Sequence, residues 1–186
     1  YVNLLPSHHK KSRDPGDSKE MMAARRSFLN AGHYDPVSDT LNRLLLAGVT
    51  ERAEAFLDIG CGEGYYGGRL LSAAQAHDME IRLCGLDISR DAVRAAAASC
   101  RTAAWIVASS HRMPLRNGTF AGAYSVFSPV AGGELALILK PGALFVRVLP
   151  GPDHLLELRR LIYPEVQRGG EPETALDGMG TKAVSV

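Results

Sequence analysis

Five short apolar runs alternate with helical patterns through the middle of the chain. The runs cover residues 55–59, 83–88, 104–108, 123–127 and 144–149. Helical stretches, 65–76 and 89–99, separate the first three runs, and Ser89 is placed to cap the second stretch. Continuous apolar strands separated by helices are typical of a parallel sheet covered on both faces. The pattern predicts an α/β fold, with a doubly wound, mostly parallel sheet and helices on both faces.

Two further helices are predicted before the first run. Asp17 and Ser18 can cap a helix that ends at Gly32, with Met21, Ala24 and Phe28 on one stripe. Asp35-Pro36 can begin the next helix, which Gly48 ends, and its apolar positions follow helical spacing: Val37, Leu41, Leu44 and Leu45.

The C-terminal third is less regular. We expect a short helix over 132–139, a tight turn at Lys140-Pro141-Gly142 before the fifth strand, and a helix through Leu155, Leu158 and Ile162. The patterns predict an N-terminal basic segment with helices over 1–50, a Rossmann-like domain over 51–167, and a Gly-rich polar tail or incomplete C-terminal part over 168–186.

Composition excludes several classes of protein. The chain has 186 residues, 46% of them hydrophobic, and a net charge of +1, which argues against a polycationic tail and against intrinsic disorder. No apolar run approaches the length of a membrane span, and three cysteines without a CxxC pair indicate neither a disulfide framework nor a zinc site. These features predict a soluble, cytoplasmic domain that binds no metal itself.

Charge is concentrated at the start of the chain. Residues 1–26 carry six basic and three acidic side chains, a net charge of +3, against −2 for the remainder. This segment either contacts phosphates or is a solvated arm. The candidate phosphate-binding residues are Lys10, Lys11, Arg13, Arg25 and Arg26.

The most informative stretch is the glycine-rich loop 58–64, with the sequence Asp-Ile-Gly-Cys-Gly-Glu-Gly. A strand ends there and a helix begins, and the glycines allow a ligand to approach the backbone. Asp87, 23 residues after Gly64, ends the next strand, where a carboxylate can accept both hydroxyls of a ribose. Asp58, two residues before Gly60, suits a positively charged ligand group. The alternative is a tight turn without a ligand.

This combination resembles the class I S-adenosylmethionine-dependent methyltransferases. The resemblance implies S-adenosylmethionine as cofactor, with S-adenosylhomocysteine as product. It puts Asp58 at the amino-acid end of the cofactor, Asp87 at the ribose, the turn after the third strand at the adenine, and Ser128 near the methyl group. Ser109 stands where many members have Asp, which weakens that contact. The implied cofactor-binding residues are Asp58, Gly60, Cys61, Gly62, Gly64, Asp87, Ile88, Ser109, Ser110, His111 and Ser128.

The flanking segments resemble the bacterial 23S rRNA (guanine-N1)-methyltransferases, a family that includes macrolide-resistance proteins. The similar segments are 1–5, 11–18, 21–26, 32–34 and 150–155. The resemblance implies methyl transfer to N1 of a guanine in a 23S rRNA hairpin loop, no membrane, and a homodimer. Members carry a zinc module upstream and a further hairpin downstream. We therefore expect this chain to be part of a longer protein that binds zinc only where that module is present.

The sequence leaves the base and the competing functions open. Methyl transfer mainly requires alignment, but a base that removes the guanine N1 proton would help. The candidates are His33, His111 and Asp14, each with a capping or packing role as the alternative; Tyr34 and Tyr65 can stack on a nucleobase or only pack. The alternatives to an rRNA methyltransferase are a small-molecule C- or O-methyltransferase and a non-catalytic S-adenosylmethionine-binding protein.

Overall fold

The computed structural model describes residues 1–5, 19–50, 52–151 and 153–163. Within these residues the strands are β1 (Val2–Asn3), β2 (Glu54–Ile59), β3 (Ile81–Asp87), β4 (Ala104–Val107), β5 (Phe120–Val126) and β6 (Leu139–Val148). The helices are α1 (Lys19–Asn30), α2 (Asp35–Leu46), α3 (Tyr65–Ala76), α4 (Arg90–Ser99), α5 (Gly132–Ile138) and α6 (Leu156–Ile162).

All six described strands form one sheet in the order β1-β4-β3-β2-β5-β6, and every pairing is parallel. The chain builds outward from β2 in one direction through β3 and β4, and then in the other through β5 and β6. The predicted doubly wound α/β fold is confirmed.

Two local predictions about strands differ from the structure. The sequence pattern predicts no strand over residues 1–5, yet Val2 and Asn3 pair with Ile106 and Val107 of β4. A two-residue exposed strand has no periodicity to detect, since its pairing partner alone defines it. The last strand also begins earlier than predicted, because residues 140–143 form an irregularity inside β6 and not a turn before it.

The core lies on both faces of the sheet. One face packs Phe56, Trp105 and Tyr124 against α2, α3 and α4, with Leu41, Leu70 and Val93 among the buried residues of those helices. The other face packs alternate β2 residues against Met113 and α5, in a set that comprises Ala55, Leu57, Ile59, Leu135 and Ile138. Because side chains alternate along a strand, β2 serves both layers and is buried throughout.

The predicted N-terminal helices are both present, but α1 packs differently from its pattern. Met21 and Phe28, on the predicted apolar stripe, are 56% and 48% exposed, whereas the neighbouring Met22 is buried. Helix α2 buries Leu41 and Leu45 as its spacing predicted. Helix α1 therefore presents its apolar stripe at the surface.

The proposed division at residues 50 and 167 stays a prediction, and the tail 168–186 lies outside the described residues. No helix in the described part of the chain has the length and apolar character needed to cross a membrane.

Candidate functional site

The C-terminal ends of β2 and β5 meet at the point where the strand order reverses. In doubly wound folds, ligands bind in the crevice at this switch point. Gly60 follows β2, and a Cβ atom at Gly60 would lie 2.1 Å from Ser128 Oγ, just beyond β5. The glycine therefore allows the two strand ends to approach each other closely.

The glycine-rich loop keeps its shape through backbone conformation and hydrogen bonds. Gly60, Gly62 and Gly64 all have positive φ angles, of 75°, 52° and 81°. The amides of Gly60 and Cys61 both donate to the Leu86 carbonyl, at 2.9 and 3.0 Å, which ties the loop to β3. A Cβ atom at Gly62 would meet nothing within 4 Å, so the backbone is open to a ligand there.

Asp87, at the end of β3, joins the loop to α4. Its Oδ2 accepts from the Gly62 amide at 2.9 Å and its Oδ1 accepts from the Ser89 amide at 2.8 Å. A carboxylate has about four acceptor sites, so two remain for hydroxyls of a ligand. Asp87 is thus held in place by the protein and retains the capacity predicted for it.

Asp58 is a buried carboxylate with an unsatisfied oxygen. The side chain is only 2% exposed, and Oδ2 has no hydrogen bond of acceptable geometry. Its pKa is raised to about 7, mainly by burial and in part by the nearby negative charge of Asp87. Tyr124 is its partner across the β2–β5 pairing, and its hydroxyl, although it lowers the Asp58 pKa, also lacks a well-formed hydrogen bond. A cation bound nearby would stabilise the ionised carboxylate.

A cavity of about 270 Å³ lies at these strand ends. Three predicted cofactor-binding residues line this strand-end cavity, Gly60, Asp87 and Ser128, together with one predicted phosphate-binding residue, Arg25. The other lining residues are Tyr66, Ser89, Ala92, Val126 and Phe127. These strand ends fit S-adenosylmethionine in charge, because Asp87 lines the cavity and interacts electrostatically with the buried Asp58, whose carboxylate has an unsatisfied oxygen. Two carboxylates suit a cationic amino acid attached to a ribose. Among the described residues, no group of three side chains from His, Cys, Asp and Glu is placed to hold a metal ion.

A larger cavity of about 850 Å³ lies on the helix side of the same loop. This helix groove is lined by Gly60, Cys61 and Gly64 and by residues of α1, α3 and α4. It contains neither Asp58 nor Asp87, whereas Asp87 lines the strand-end cavity and Asp58 lines neither. We therefore assign the cofactor chemistry to the smaller cavity.

The predicted adenine turn follows β4, beside the end of β3. The Ala108 amide donates to the Asp87 carbonyl at 2.9 Å, and the His111 amide donates to Ser109 Oγ at 3.2 Å. Ile88, next to Asp87, is 37% exposed. Residues 109–111 line neither of the two cavities. Their adenine contact stays a prediction.

The candidate bases and the basic residues are spread more widely. His33 stacks on Phe28, and His111 lies 3.5 Å from Ser110 Oγ through Nδ1. Arg26 forms an ion pair with Glu63 of the glycine loop, which raises the pKa of the guanidinium. Asp14, Lys10, Lys11 and Arg13 lie outside the described residues. Their roles in catalysis and RNA binding stay predictions.

Sequence reasoning treated Tyr65 as a stacking candidate and missed Phe127. The Tyr65 hydroxyl donates to Asp35 Oδ1 at 2.6 Å, so this ring packs α2 on α3. Phe127 has a φ of 54°, rare for a bulky residue, and lines the strand-end cavity. The one available signal was an aromatic residue at a strand end directly before Ser128.

Comparison with known proteins agrees with this geometry. Residues 56–142 match the family model described as a methyltransferase domain. The chain is 38% identical to the 23S rRNA (guanine(748)-N(1))-methyltransferase of Streptomyces fradiae, over 85% of this chain and 55% of that protein. It is 32% identical to YxjB of Bacillus subtilis, which is classed with the 23S rRNA (guanine-N1)-methyltransferases, over 94% of this chain and 61% of YxjB. The chain thus spans little more than half the length of these curated relatives.

Solved structures show the same fold. An S-adenosyl-L-methionine-dependent methyltransferase of Methanococcus maripaludis superposes with a TM-score of 0.56 at 22% identity, over 82% of this chain and 70% of that chain. A methyltransferase of Haloferax volcanii, solved in complex with the Trm112 activator, gives 0.53 at 26% identity, over 70% and 60%.

Proposed function

We propose that this chain, which is homologous over most of its length to the 23S rRNA (guanine-N1)-methyltransferases, is a class I methyltransferase that methylates N1 of a guanine in 23S rRNA. The homology supports the RNA substrate. The observation that carries the methyl-transfer half of the proposal is the strand-end cavity, where Gly60, Asp87 and Ser128 meet beside the buried Asp58.

Two carboxylates of the chain bind different parts of the cofactor. Asp87, already fixed by the amides of Gly62 and Ser89, accepts the ribose hydroxyls. Asp58 provides negative charge for the cationic end of the cofactor, and that interaction satisfies the oxygen that lacks a partner in the protein. The open backbone at Gly62 leaves space for the cofactor against the loop.

S-adenosylmethionine, when bound, supplies a methyl group on a positively charged sulfur. The protein's task is then to hold the acceptor nitrogen in line with that methyl group, and such alignment is worth about 7–11 kcal/mol. Guanine N1 carries a proton, so a base is useful. Of the candidate bases, His33 is connected to the cavity by a series of ring contacts that runs through Phe28 and Tyr34 to Phe127.

The test is methylation of 23S rRNA from a strain that lacks the modification, using the full-length protein that contains this chain. We expect transfer of a trideuterated methyl group from labelled S-adenosylmethionine, and N1-methylguanosine in a nuclease digest analysed by mass spectrometry. Methylation of a small molecule alone would favour a C- or O-methyltransferase. Binding of cofactor without any methyl transfer would indicate a non-catalytic protein.

The finer points of the proposal concern partners and location. A hairpin loop is the expected form of the RNA, because an unpaired guanine costs least to unstack. We further propose that the protein works in the cytoplasm as a homodimer, with zinc held outside this chain. Sedimentation of the full-length protein tests the homodimer, and measurement of its metal content tests the presence of zinc.

A further inference from the structure

We propose that four side chains beside the strand-end cavity form the stacking surface for the acceptor nucleobase. They are Phe28, His33, Tyr34 and Phe127, named here the aromatic platform. The inference rests on the proposed function and extends it, since it identifies where the acceptor lies relative to the cofactor site.

The rings of the aromatic platform form a continuous series. Phe28 and His33 stack with their ring centroids 4.8 Å apart and their planes 27° apart. Phe28 and Tyr34 meet edge to face at 5.6 Å, and Tyr34 and Phe127 do so at 5.8 Å. Residues from α1, from the α1–α2 turn and from the end of β5 thus converge on one surface.

This surface remains accessible to a ligand. Phe28 is 48% exposed and Phe127 is 45% exposed, and His33 is also exposed. Adjacent exposed aromatic rings are unfavourable in water unless a partner covers them, and a base has a flat face that does so. Stacking on aromatic side chains is the usual way in which proteins hold an unpaired base.

Phe127 connects the aromatic platform to the cofactor site. Its side chain lines the same cavity as Asp87 and Gly60, and it directly precedes Ser128. Its φ of 54° is costly for a bulky residue, and such strain is found where a side chain must be held in a set direction. A base stacked on Phe127 lies beside the cavity proposed for the methyl donor.

A polar network fixes the aromatic platform relative to the glycine-rich loop. Arg69 of α3 donates to Ser38 Oγ at 2.8 Å and to Asp39 Oδ1 at 2.7 Å, both on α2. Tyr34 directly precedes α2, and α3 directly follows Gly64. The helix that follows Tyr34 is therefore bound to the helix that continues the loop. These contacts hold the aromatic platform in a fixed position relative to the cofactor site.

The test compares Phe127→Ala, Phe28→Ala and Phe127→Trp with a control, Tyr163→Ala, in the full-length protein. Tyr163 is 57% exposed and lies after α6, outside the aromatic platform. We measure cofactor affinity by calorimetry, and KM and kcat with an rRNA fragment. We also replace the target guanine with fluorescent 2-aminopurine, whose emission is quenched when an aromatic ring stacks on it.

We expect Phe127→Ala and Phe28→Ala to raise KM for RNA by about 10-fold to 100-fold and to abolish the quenching. Phe28→Ala should do so with unchanged cofactor affinity, because Phe28 does not line the strand-end cavity, whereas Phe127 does. Phe127→Trp should restore KM and quenching, and Tyr163→Ala should change neither. The proposal is overturned if the alanine variants bind cofactor and retain normal KM and quenching, or if Tyr163→Ala has the same effect as they have. If the unaltered protein methylates no rRNA, the proposed function itself fails, and this inference fails with it.

Discussion

The glycine-rich loop separates two cavities that differ in size and in chemistry. The helix groove is about three times larger, yet it lies over the outer faces of α3 and α4. Two arginines that line it are engaged within the protein, Arg26 with Glu63 and Arg69 with Asp35 and Asp39. The strand-end cavity is small, but Asp87 and Ser128 meet there at the switch point of the sheet.

The comparison shows that volume is a poor guide to the site in this fold. A groove between helices arises wherever two helices diverge over a sheet. The strand-end cavity, by contrast, is lined by Asp87, which interacts electrostatically with the buried Asp58. The unsatisfied oxygen of Asp58 is energetically costly, and such a group is typical of a functional site. If this interpretation is right, changes beside the strand-end cavity alter cofactor binding, and changes in the helix groove do not.

The largest effect is expected from Gly60→Ala. The new methyl group would lie 2.1 Å from Ser128 Oγ, on a backbone with a φ of 75°. Left-handed strain and overpacking together predict a loss of about 2–5 kcal/mol in the free energy of unfolding, and no measurable cofactor binding. Urea denaturation and calorimetry check both effects.

Gly62→Ala is the matched control in the same loop. Its φ is also positive, but the added methyl group meets no protein atom within 4 Å. We expect a stability loss of only about 1–2 kcal/mol, together with a clear loss of cofactor affinity because the methyl group fills the space left for the ligand. Equal stability losses for the two variants would contradict the account of the loop.

The second prediction concerns pH and Asp58. Its pKa rises from 3.8 in the unfolded chain to about 7 in the folded protein, so the folded state binds the proton more tightly between these values. The stability of the ligand-free protein should therefore fall as pH rises from about 4 to 7, by at most about 4 kcal/mol, and then stay low. Denaturation of the protein and of Asp58→Asn, at pH 5 and pH 8, isolates this contribution.

Cofactor affinity should change with pH in the opposite direction. A cationic ligand prefers the ionised carboxylate, so binding should strengthen as pH rises from about 6 to 7. Asp58→Asn should bind more weakly and lose this dependence. An unchanged pH profile in Asp58→Asn would mean that Asp58 does not face the ligand's charge.

The third prediction is a loss of affinity in Asp87→Asn. The amide keeps one acceptor but directs an N–H group toward the Gly62 or Ser89 amide, and the charge is lost. Hydrogen bonds to a charged group are worth about 1.5–3 kcal/mol, which corresponds to a loss of about 10-fold to 150-fold in affinity. Asp78→Asn, at an exposed position after α3, should leave the affinity unchanged.

The smallest effect is expected in the helix groove, from Gly68→Ala. Gly68 lies within α3, and an added methyl group meets nothing within 4 Å. Replacing a helical glycine should stabilise the protein by about 0.5–1 kcal/mol and leave cofactor affinity unchanged. Weaker cofactor binding in this variant would place the cofactor in the helix groove and would contradict the assignment to the strand-end cavity.

Much of the fold could be predicted because its signals are local. The apolar runs and the spacing of α2 depend on residues close together in sequence, and the glycine-rich loop is contiguous. Asp87 was proposed as the ribose ligand because the end of the strand that follows the glycine-rich loop has a fixed place in this fold, and it lines the strand-end cavity. The stripe on α1 was misleading, since Met22 and not Met21 packs inward.

The rest depended on contacts between distant parts of the chain. Tyr124 lies beside Asp58 only because β5 pairs with β2 in that register. Phe127 joins Tyr34 through the packing of α2, which the sequence pattern does not reveal. β1 exists only through its pairing with β4. The periodicity of apolar residues predicts helices and strands, but the register in which these elements pair and pack determines which side chains meet at the site.

The most direct test of the central claim is hydrogen–deuterium exchange of the full-length protein with and without S-adenosylhomocysteine. We predict protection of backbone amides in residues 60–64, 87–89 and 127–128, around the strand-end cavity, with no change in 95–99 of the helix groove. Protection confined to residues 68–72 and 95–99, or no protection by a saturating concentration of the ligand, would contradict the assignment of the cofactor site.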